Sequence, residues 1–249
     1  MARLRARTKT GALTVLLALA AASALPAQES LSARLEASGL VHLLLGETEL
    51  AALDLNAHGP GWIHVSQAAA ATEVSALPDQ LGWRFTGTLP VPRSGGALTF
   101  TETVSPLPEG LRLEYEVVIT EPLLLNGLQV SLSLPVARFV GQTLFVSQPD
   151  TGAHGLLLPA EQPEEQRAQL WAGEGTTIEV APGTEQALTL QLQALADLVV
   201  QDLRQWEHAA YEIRLPAIMQ DSGSRLRPGT RFRLVLTLTL PGPVRLLGP

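Results

Sequence analysis

Apolar and polar residues alternate with a period of two along several stretches of this chain. At 111–119 the apolar residues share one face, and arginine and glutamate residues lie between them. The same alternation recurs at 128–134 and 188–193, and it is clearest in the final run at 231–240, which Phe232 and Leu234 begin. One-sided alternation over many strands is typical of antiparallel sheets that pack face to face. The pattern therefore predicts an all-β fold, a single antiparallel β-sandwich.

Turn-forming pairs separate these runs, among them Ser38-Gly39, Pro182-Gly183 and Pro228-Gly229. The pair Asn126-Gly127 fits either a tight hairpin turn or a bulge within one long strand. Helical patterns are confined to two short segments, 161–170 and 194–198. No linker or break in composition divides the chain, so we expect one β-sandwich domain at 28–249.

The first 27 residues have the three parts of a secretory signal peptide. Arg3, Arg5, Arg7 and Lys9 form a positive segment, and an apolar run at 11–25 follows it. Small residues then allow cleavage after Ala24 or Ala27. The apolar run is shorter than the roughly 20 residues of a transmembrane helix. We therefore expect export by the general secretion route to the periplasm or the medium, with no membrane span after cleavage.

Removal of the signal peptide changes the charge of the chain. Four of its 17 basic residues lie in that segment, which leaves 13 basic and 24 acidic groups and a net charge of −11. An acidic surface does not attract nucleic acid, so we expect no nucleic-acid partner. Lys9 is the only lysine and the chain has no cysteine, which excludes lysine and thiol nucleophiles in the mature protein. The sequence points to no cofactor.

Two stretches resemble galactose-mutarotase-like domains, the supersandwich domains found in and beside carbohydrate-active enzymes. The first, at 37–50, reads as a strand, a tight turn at Gly39-Leu40, a second strand and a turn at Gly46. The second combines 201–206 and 211–215 with Pro228-Gly229 and a long final strand, as in uncharacterised exported proteins of that fold. The resemblance implies a supersandwich fold. Catalytic members use a histidine acid and a glutamate base, which match no motif of this sequence.

The densest cluster of candidate residues is Asp202, Arg204, Trp206 and His208. Their spacing of two places all four on one face if this segment is a strand. Trp206 could then stack on a sugar ring, Asp202 and Arg204 could bind hydroxyl groups, and His208 could move a proton. The alternative is a structural ion pair between Asp202 and Arg204 beside a tryptophan at a strand end.

A second candidate lies at 54–64, where glycines and a proline predict a loop that carries Trp62 and His64. These two side chains share a face if a strand begins at Gly61. The histidines have no third ligand at a recurring spacing, so we expect no metal. The alternative is a surface loop with a partly buried tryptophan.

Four arginines flank the Pro228-Gly229 turn, at positions 225, 227, 231 and 233. They fit either a binding edge for an acidic polysaccharide or a solvated hairpin whose charges face acidic neighbours. The sequence contains no nucleophile elbow, phosphate-binding loop, zinc-helix motif or calcium loop. These absences favour a protein that is not an enzyme.

We therefore predict a non-catalytic, accessory carbohydrate-associated protein of the cell envelope, with a poly- or oligosaccharide as partner. Two alternatives stay open. One is a sugar-active enzyme, a mutarotase-like isomerase, hydrolase or lyase, in which a histidine acts with a carboxylate such as Asp202, Glu207 or Glu212. The other is a structural or assembly protein that binds another envelope protein.

Overall fold

The computed structural model describes residues 30–79, 81–150, 152–162 and 168–249. The predicted signal peptide and its cleavage sites lie outside these residues. The first eight strands of the described chain are β1 (Leu31–Leu35), β2 (Val41–Leu45), β3 (Thr48–Gly59), β4 (Ile63–Ser66), β5 (Ala71–Ala76), β6 (Trp83–Pro90), β7 (Ala97–Leu107) and β8 (Gly110–Ile119). The next eight are β9 (Leu123–Pro135), β10 (Thr143–Gln148), β11 (Gly152–Leu157), β12 (Gln169–Val180), β13 (Leu188–Asp202), β14 (Ala210–Leu226), β15 (Arg231–Thr239) and β16 (Val244–Leu247).

Helical structure in the described residues is limited to short turns. One α-helical turn, α1 (Val136–Phe139), follows β9, and 3₁₀ turns occur at Gln67–Ala69 and Leu203–Trp206. None of the helices described is long and apolar enough to cross a membrane. The prediction of an all-β fold is confirmed.

The described strands join into one continuous sheet. Its main path runs β16-β1-β2-β3-β9-β14-β13-β15-β8-β7-β6-β5, with β4, β10, β11 and β12 attached beside it. Neighbouring strands are antiparallel, except that β1 pairs with β16 in parallel. The inward faces of the strands form one apolar core, in which Leu53, Leu132, Ile213, Leu236 and Leu238 are at most 1% exposed. The alternation read from 111–119, 128–134, 188–193 and 231–240 therefore marks core strands.

Three details of the sequence interpretation are wrong. Residues 194–198 are not helical but belong to β13, and β15 is followed by one more strand, β16. The predicted loop at 54–64 is mostly strand, because β3 extends to Gly59 and β4 begins at Ile63. The other predicted helix, 161–170, overlaps residues 163–167, which lie outside the described part, and its last two residues belong to β12.

A buried carboxyl group interrupts the apolar core. Glu102 on β7 is fully buried, and its Oε2 accepts a 2.9 Å hydrogen bond from Gln67. Burial raises the pKa of Glu102 from 4.5 to about 8, and the negative charge of Asp54 raises it further. Burial also raises the pKa of Asp54 from 3.8 to about 7, with a smaller contribution from Glu36. Gly39 packs against Glu102 and Gln67, and a Cβ added to it would be 2.4 Å from Glu102 Oε2. Glu102 is therefore mostly protonated at neutral pH.

Candidate functional site

Polar side chains cover one face of three adjacent central strands, β3, β9 and β14. Each strand turns its apolar residues to the core, so its polar residues share the opposite face. The register places Asp54 opposite Ser131 and Ser131 opposite Arg214. The polar face consists of Asp54, Asn56 and His58 on β3, Gln129 and Ser131 on β9, and Glu212 and Arg214 on β14. Because most of these side chains are buried, this face differs from an ordinary solvated surface.

Two histidines lie next to each other where the polar face reaches β3 and its partner β4. His64 on β4 pairs with His58 on β3, and the centroids of their rings are 5.3 Å apart. The Nε2 atom of His64 lies 2.6 Å from Asn56 Oδ1. As the amide oxygen can only accept, His64 donates through Nε2, which leaves its Nδ1 for another partner.

The pKa values of both histidines are lowered. Burial is the main cause for His58, whose pKa falls from 6.5 to about 4, and the positive charge of Arg214 adds to it. Burial also lowers the pKa of His64, where Glu212 acts in the opposite direction and Arg214 and His208 act in the same direction as burial. Strand β14 is not a neighbour of β4. Its charges act on His64 because the sheet curls and brings side chains of distant strands together.

The carboxylate of this group is Glu212, which is 6% exposed. Its Oε2 accepts a 2.6 Å hydrogen bond from Nε of Arg214, two residues along the same strand. The pair brings both signs of charge to the polar face without a net charge. Both charges also act on His64, so a histidine, a carboxylate and a guanidinium group lie within electrostatic reach of one another. Such a set can move protons and bind hydroxyl groups.

Trp62 closes the polar face at the β3–β4 hairpin. Its backbone has φ +61°, next to Gly61 at +78°, so the turn needs a left-handed conformation that a bulky residue rarely adopts. The Trp62 indole packs edge-on against His58 at 5.5 Å, and its Nε1 donates a 3.1 Å hydrogen bond to Asp221. A neighbour in the same hairpin and a residue of the distant strand β14 therefore hold this strained residue in place.

Some of the residues predicted to bind a ligand lie at or near the polar face, and others do not. Trp62 and His64 lie at the polar face with Glu212, and His208 is near enough to His64 to lower its pKa. Trp206 is half exposed and has no place in this group. A ligand-binding role for any of them stays a prediction.

Asp202 and Arg204 form a structural clamp, because the assumption of one continuous strand at 202–208 is wrong. β13 ends at Asp202, and the 3₁₀ turn that follows takes Arg204 off the strand face. Arg204 donates 2.6–3.2 Å hydrogen bonds to both oxygens of the buried Asp202 carboxylate. The rest of its guanidinium group binds the carbonyl oxygens of Pro159, Ala160 and Glu161. These contacts commit both side chains to the protein's own backbone.

Of the four arginines around the β14–β15 hairpin, two are paired with acidic residues and two are not, within the described part of the chain. Arg231 is bonded to Glu116 and Arg233 to Glu114, each at 2.7 Å. These acids lie on β8, the neighbouring strand. The exposed Arg225 and Arg227 have no such partner among the contacts of the described residues. Acidic neighbours therefore account for two of the four charges.

A cleft of about 360 Å³ lies where β14 separates from β13. It is lined by Val199, which is opposite Arg214 in the sheet, and by residues 216–220 of β14. No group of three His, Cys, Asp or Glu side chains among the described residues is arranged to hold a metal ion.

Sequence reasoning missed His58, Glu212 and Arg214 as one group. A usable signal was present in 53–58, where Asp54, Asn56 and His58 alternate with the core residues Leu53, Leu55 and Ala57. The glycines and proline that follow at 59–61 directed the interpretation to a loop instead.

No family model matches the sequence, and no curated protein has a matching sequence. Solved structures do match in fold. A galactose mutarotase-like protein from Lactobacillus casei has 12% identity and a TM-score of 0.55, over 85% of this chain and 97% of that one. A protein from Escherichia coli, provisionally named an aldose 1-epimerase, has 8% identity and a TM-score of 0.50, over 86% and 99%.

These similarities confirm the resemblance to galactose-mutarotase-like domains at the level of fold. They also contradict the prediction of a non-catalytic accessory protein, and with it the preference against an enzyme. The names of these two proteins refer to sugar-active enzymes, a galactose mutarotase and an aldose 1-epimerase, which favours the alternative over the accessory role.

Proposed function

We propose that this protein is an exported sugar-active enzyme of the mutarotase type, which interconverts the α and β anomers of an aldose. The observation that carries the proposal is the position of His64, which is exposed at the edge of the polar face and within electrostatic reach of the buried Glu212 and its partner Arg214. The names of the fold neighbours support the substrate class. Export rests on the predicted signal peptide.

The reaction needs one proton acceptor and one proton donor. Glu212 takes the proton from the anomeric hydroxyl group, and the C1–O1 bond becomes a carbonyl as the bond from C1 to the ring oxygen breaks. His64 delivers its proton to the ring oxygen. The open-chain aldehyde rotates about its C1–C2 bond, and the reverse transfers close the ring on the other face. Both groups return to their starting states.

The hydrogen bonds of the site fit these roles. Glu212 accepts from Arg214 as a carboxylate, and the neighbouring guanidinium group can stabilise negative charge that develops on the sugar. His64 is oriented by Asn56 through Nε2, so its Nδ1 can carry the transferred proton. The lowered pKa of His64 makes its acid form scarce at pH 7. We therefore expect the rate to rise as the pH falls below about 6.5.

The test is the rate of anomer exchange of D-galactose and D-glucose, followed by NMR or polarimetry in weak buffer. We expect His64→Gln and Glu212→Gln each to lower kcat/KM by about 10²–10⁴-fold. The control is His154→Asn on β11, an exposed histidine away from the polar face, which should retain wild-type activity.

Two results would contradict the proposal: wild-type protein that does not accelerate exchange of any aldose tested, or folded His64→Gln and Glu212→Gln variants with wild-type rates. Circular dichroism and thermal unfolding of each variant separate loss of chemistry from loss of structure, since Glu212→Gln also leaves Arg214 without its ion pair.

A further inference from the structure

Strand β14 contains a bulge that reaches the candidate site. Met219 is opposite Gly127 of β9, and the next paired residue, Ser224, is opposite Leu125. Four residues, 220–223, therefore project from β14 where β9 has only Asn126. A bulge of this size cannot be held by the regular ladder of main-chain hydrogen bonds and needs another support.

Asn126 supplies that support. Its side-chain Nδ2 donates hydrogen bonds to the carbonyl oxygens of Gln220 at 2.9 Å and Asp221 at 2.7 Å. The Asn126 side chain is 3% exposed, so water does not compete for these bonds. The bulge is thereby fixed at the residue whose carboxylate binds Trp62.

Gly127, the next residue of β9, makes room for the aromatic rings. A Cβ added at Gly127 would lie 3.0 Å from His58 Nδ1 and 3.2 Å from Trp62 Cζ3. Glycine therefore lets both rings lie close to the backbone of β9. The adjacent residues Asn126 and Gly127 thus serve the same place, one by holding the bulge and the other by admitting the rings.

Trp62 depends on this arrangement. Its left-handed backbone is strained and persists only where surrounding contacts compensate for it. Its contacts are the edge-on packing against His58 within the same hairpin and the hydrogen bond to Asp221, 159 residues away in the chain. The second oxygen of Asp221 has no partner among the hydrogen bonds of the described residues.

We propose that Asn126 is a positioning residue of the sugar site: it fixes the β14 bulge so that Asp221 holds the Trp62 indole as the wall against which a sugar ring packs. The inference rests on the proposed function for the identity of the ligand. The flat apolar face of an indole with its N–H engaged elsewhere suits packing against the C–H face of a sugar.

The experiment combines a structural and a kinetic measurement. The chain has four tryptophans, so ¹⁵N-indole spectra resolve Trp62, which Trp62→Phe assigns by loss of its signal. We expect Asn126→Ala and Asp221→Ala to shift the Trp62 N–H signal and to speed its exchange with solvent. Both should raise KM for the aldose at least fivefold and leave kcat within twofold, because His64 and Glu212 are untouched. Asp150→Asn, an exposed charge on the β10–β11 turn, is the control that should change neither.

The outcomes distinguish this inference from the proposed function. An unchanged Trp62 signal in Asn126→Ala, or a shifted signal without a rise in KM, overturns the positioning role. If wild-type protein accelerates no anomer exchange, the proposed function fails, and binding of the same aldoses, titrated through the Trp62 signal, takes the place of KM. Should Asn126→Ala not fold, Asn126→Ser, which keeps one donor, and the surface variant Asp221→Ala still decide the result.

Discussion

The buried Glu102 makes a quantitative prediction about stability and pH. In Glu102→Gln the side-chain amide has the shape of a protonated carboxyl group and keeps an oxygen to accept the 2.9 Å bond from Gln67. The carboxyl group also interacts with the hydroxyl group of Tyr115, which can accept a hydrogen bond from an amide nitrogen as well as donate one to a carboxylate. The substitution therefore removes the titration of Glu102 with little change in packing.

The magnitude follows from the pKa of Glu102, which burial raises from 4.5 to about 8. Between these values the folded state holds a proton that the unfolded chain releases, so the stability of the wild type falls as the pH rises through this window. A pH of 7 is 2.5 units above the unfolded-state pKa of 4.5. Each of these units favours the ionised, unfolded chain by roughly 1.36 kcal/mol. We expect Glu102→Gln to be more stable than wild type by about 3 kcal/mol at pH 7, and equal to it near pH 4.5.

The assay is urea unfolding of both proteins at half-unit steps from pH 4.5 to 8.5. His58 also makes stability depend on pH, because its lowered pKa contributes stability that is lost as the pH falls from 6.5 toward 4. His58 is present in both proteins, so the difference between their stability curves reports on Glu102. Glu73→Gln, an exposed glutamate on β5, is the matched control and should give a flat difference. A flat difference for Glu102→Gln as well would refute the reasoning, since it would mean that Glu102 has an ordinary pKa in the folded state.

Two further predictions concern stability. Asp202→Ala should lower the free energy of unfolding by about 3–5 kcal/mol in urea titrations, because it leaves the guanidinium group of Arg204 without its buried partner; a loss below 1 kcal/mol would contradict the structural clamp. Gly39→Ala should lower the melting temperature far more than Gly61→Ala. Both residues have positive φ, but an added Cβ meets Glu102 and Gln67 only at Gly39; equal losses would contradict the close packing over the buried acid.

Strand periodicity predicted much of the fold, because each strand has one face in a shared core. The run at 231–240 has its apolar residues facing inward as expected, and Leu236 and Leu238 are fully buried. Residues 126–127 are a case that strand periodicity does not decide. Asn126-Gly127 has the composition of a hairpin turn, but it lies inside β9, and the bulge it suggested is on the partner strand β14. Which of two paired strands bulges is decided by their contacts and not by either sequence alone.

The candidate site was less predictable, because its members come together only through the curl of the sheet. His64 and Glu212 are 148 residues apart in the chain and lie on strands that are not neighbours. A more prominent candidate in the sequence was the group Asp202, Arg204, Trp206 and His208, because its two-residue spacing is visible within one short stretch. Glu207 has φ +64° at the end of the 3₁₀ turn, which breaks the assumed strand. Local spacing identifies a shared face only when the secondary structure is already known.

The physical cost of the polar face is the strongest reason to assign it a function. Burial of a polar atom without a partner costs about 1–3 kcal/mol, and apolar residues on the same strands would avoid this cost. On this face, buried side-chain atoms of His58 and Gln129 lack a partner in the described structure. The left-handed Trp62 adds strain at its edge. Because natural proteins depart from the rules of stable packing mainly where function requires it, these costs favour a binding site at the polar face over a structural role.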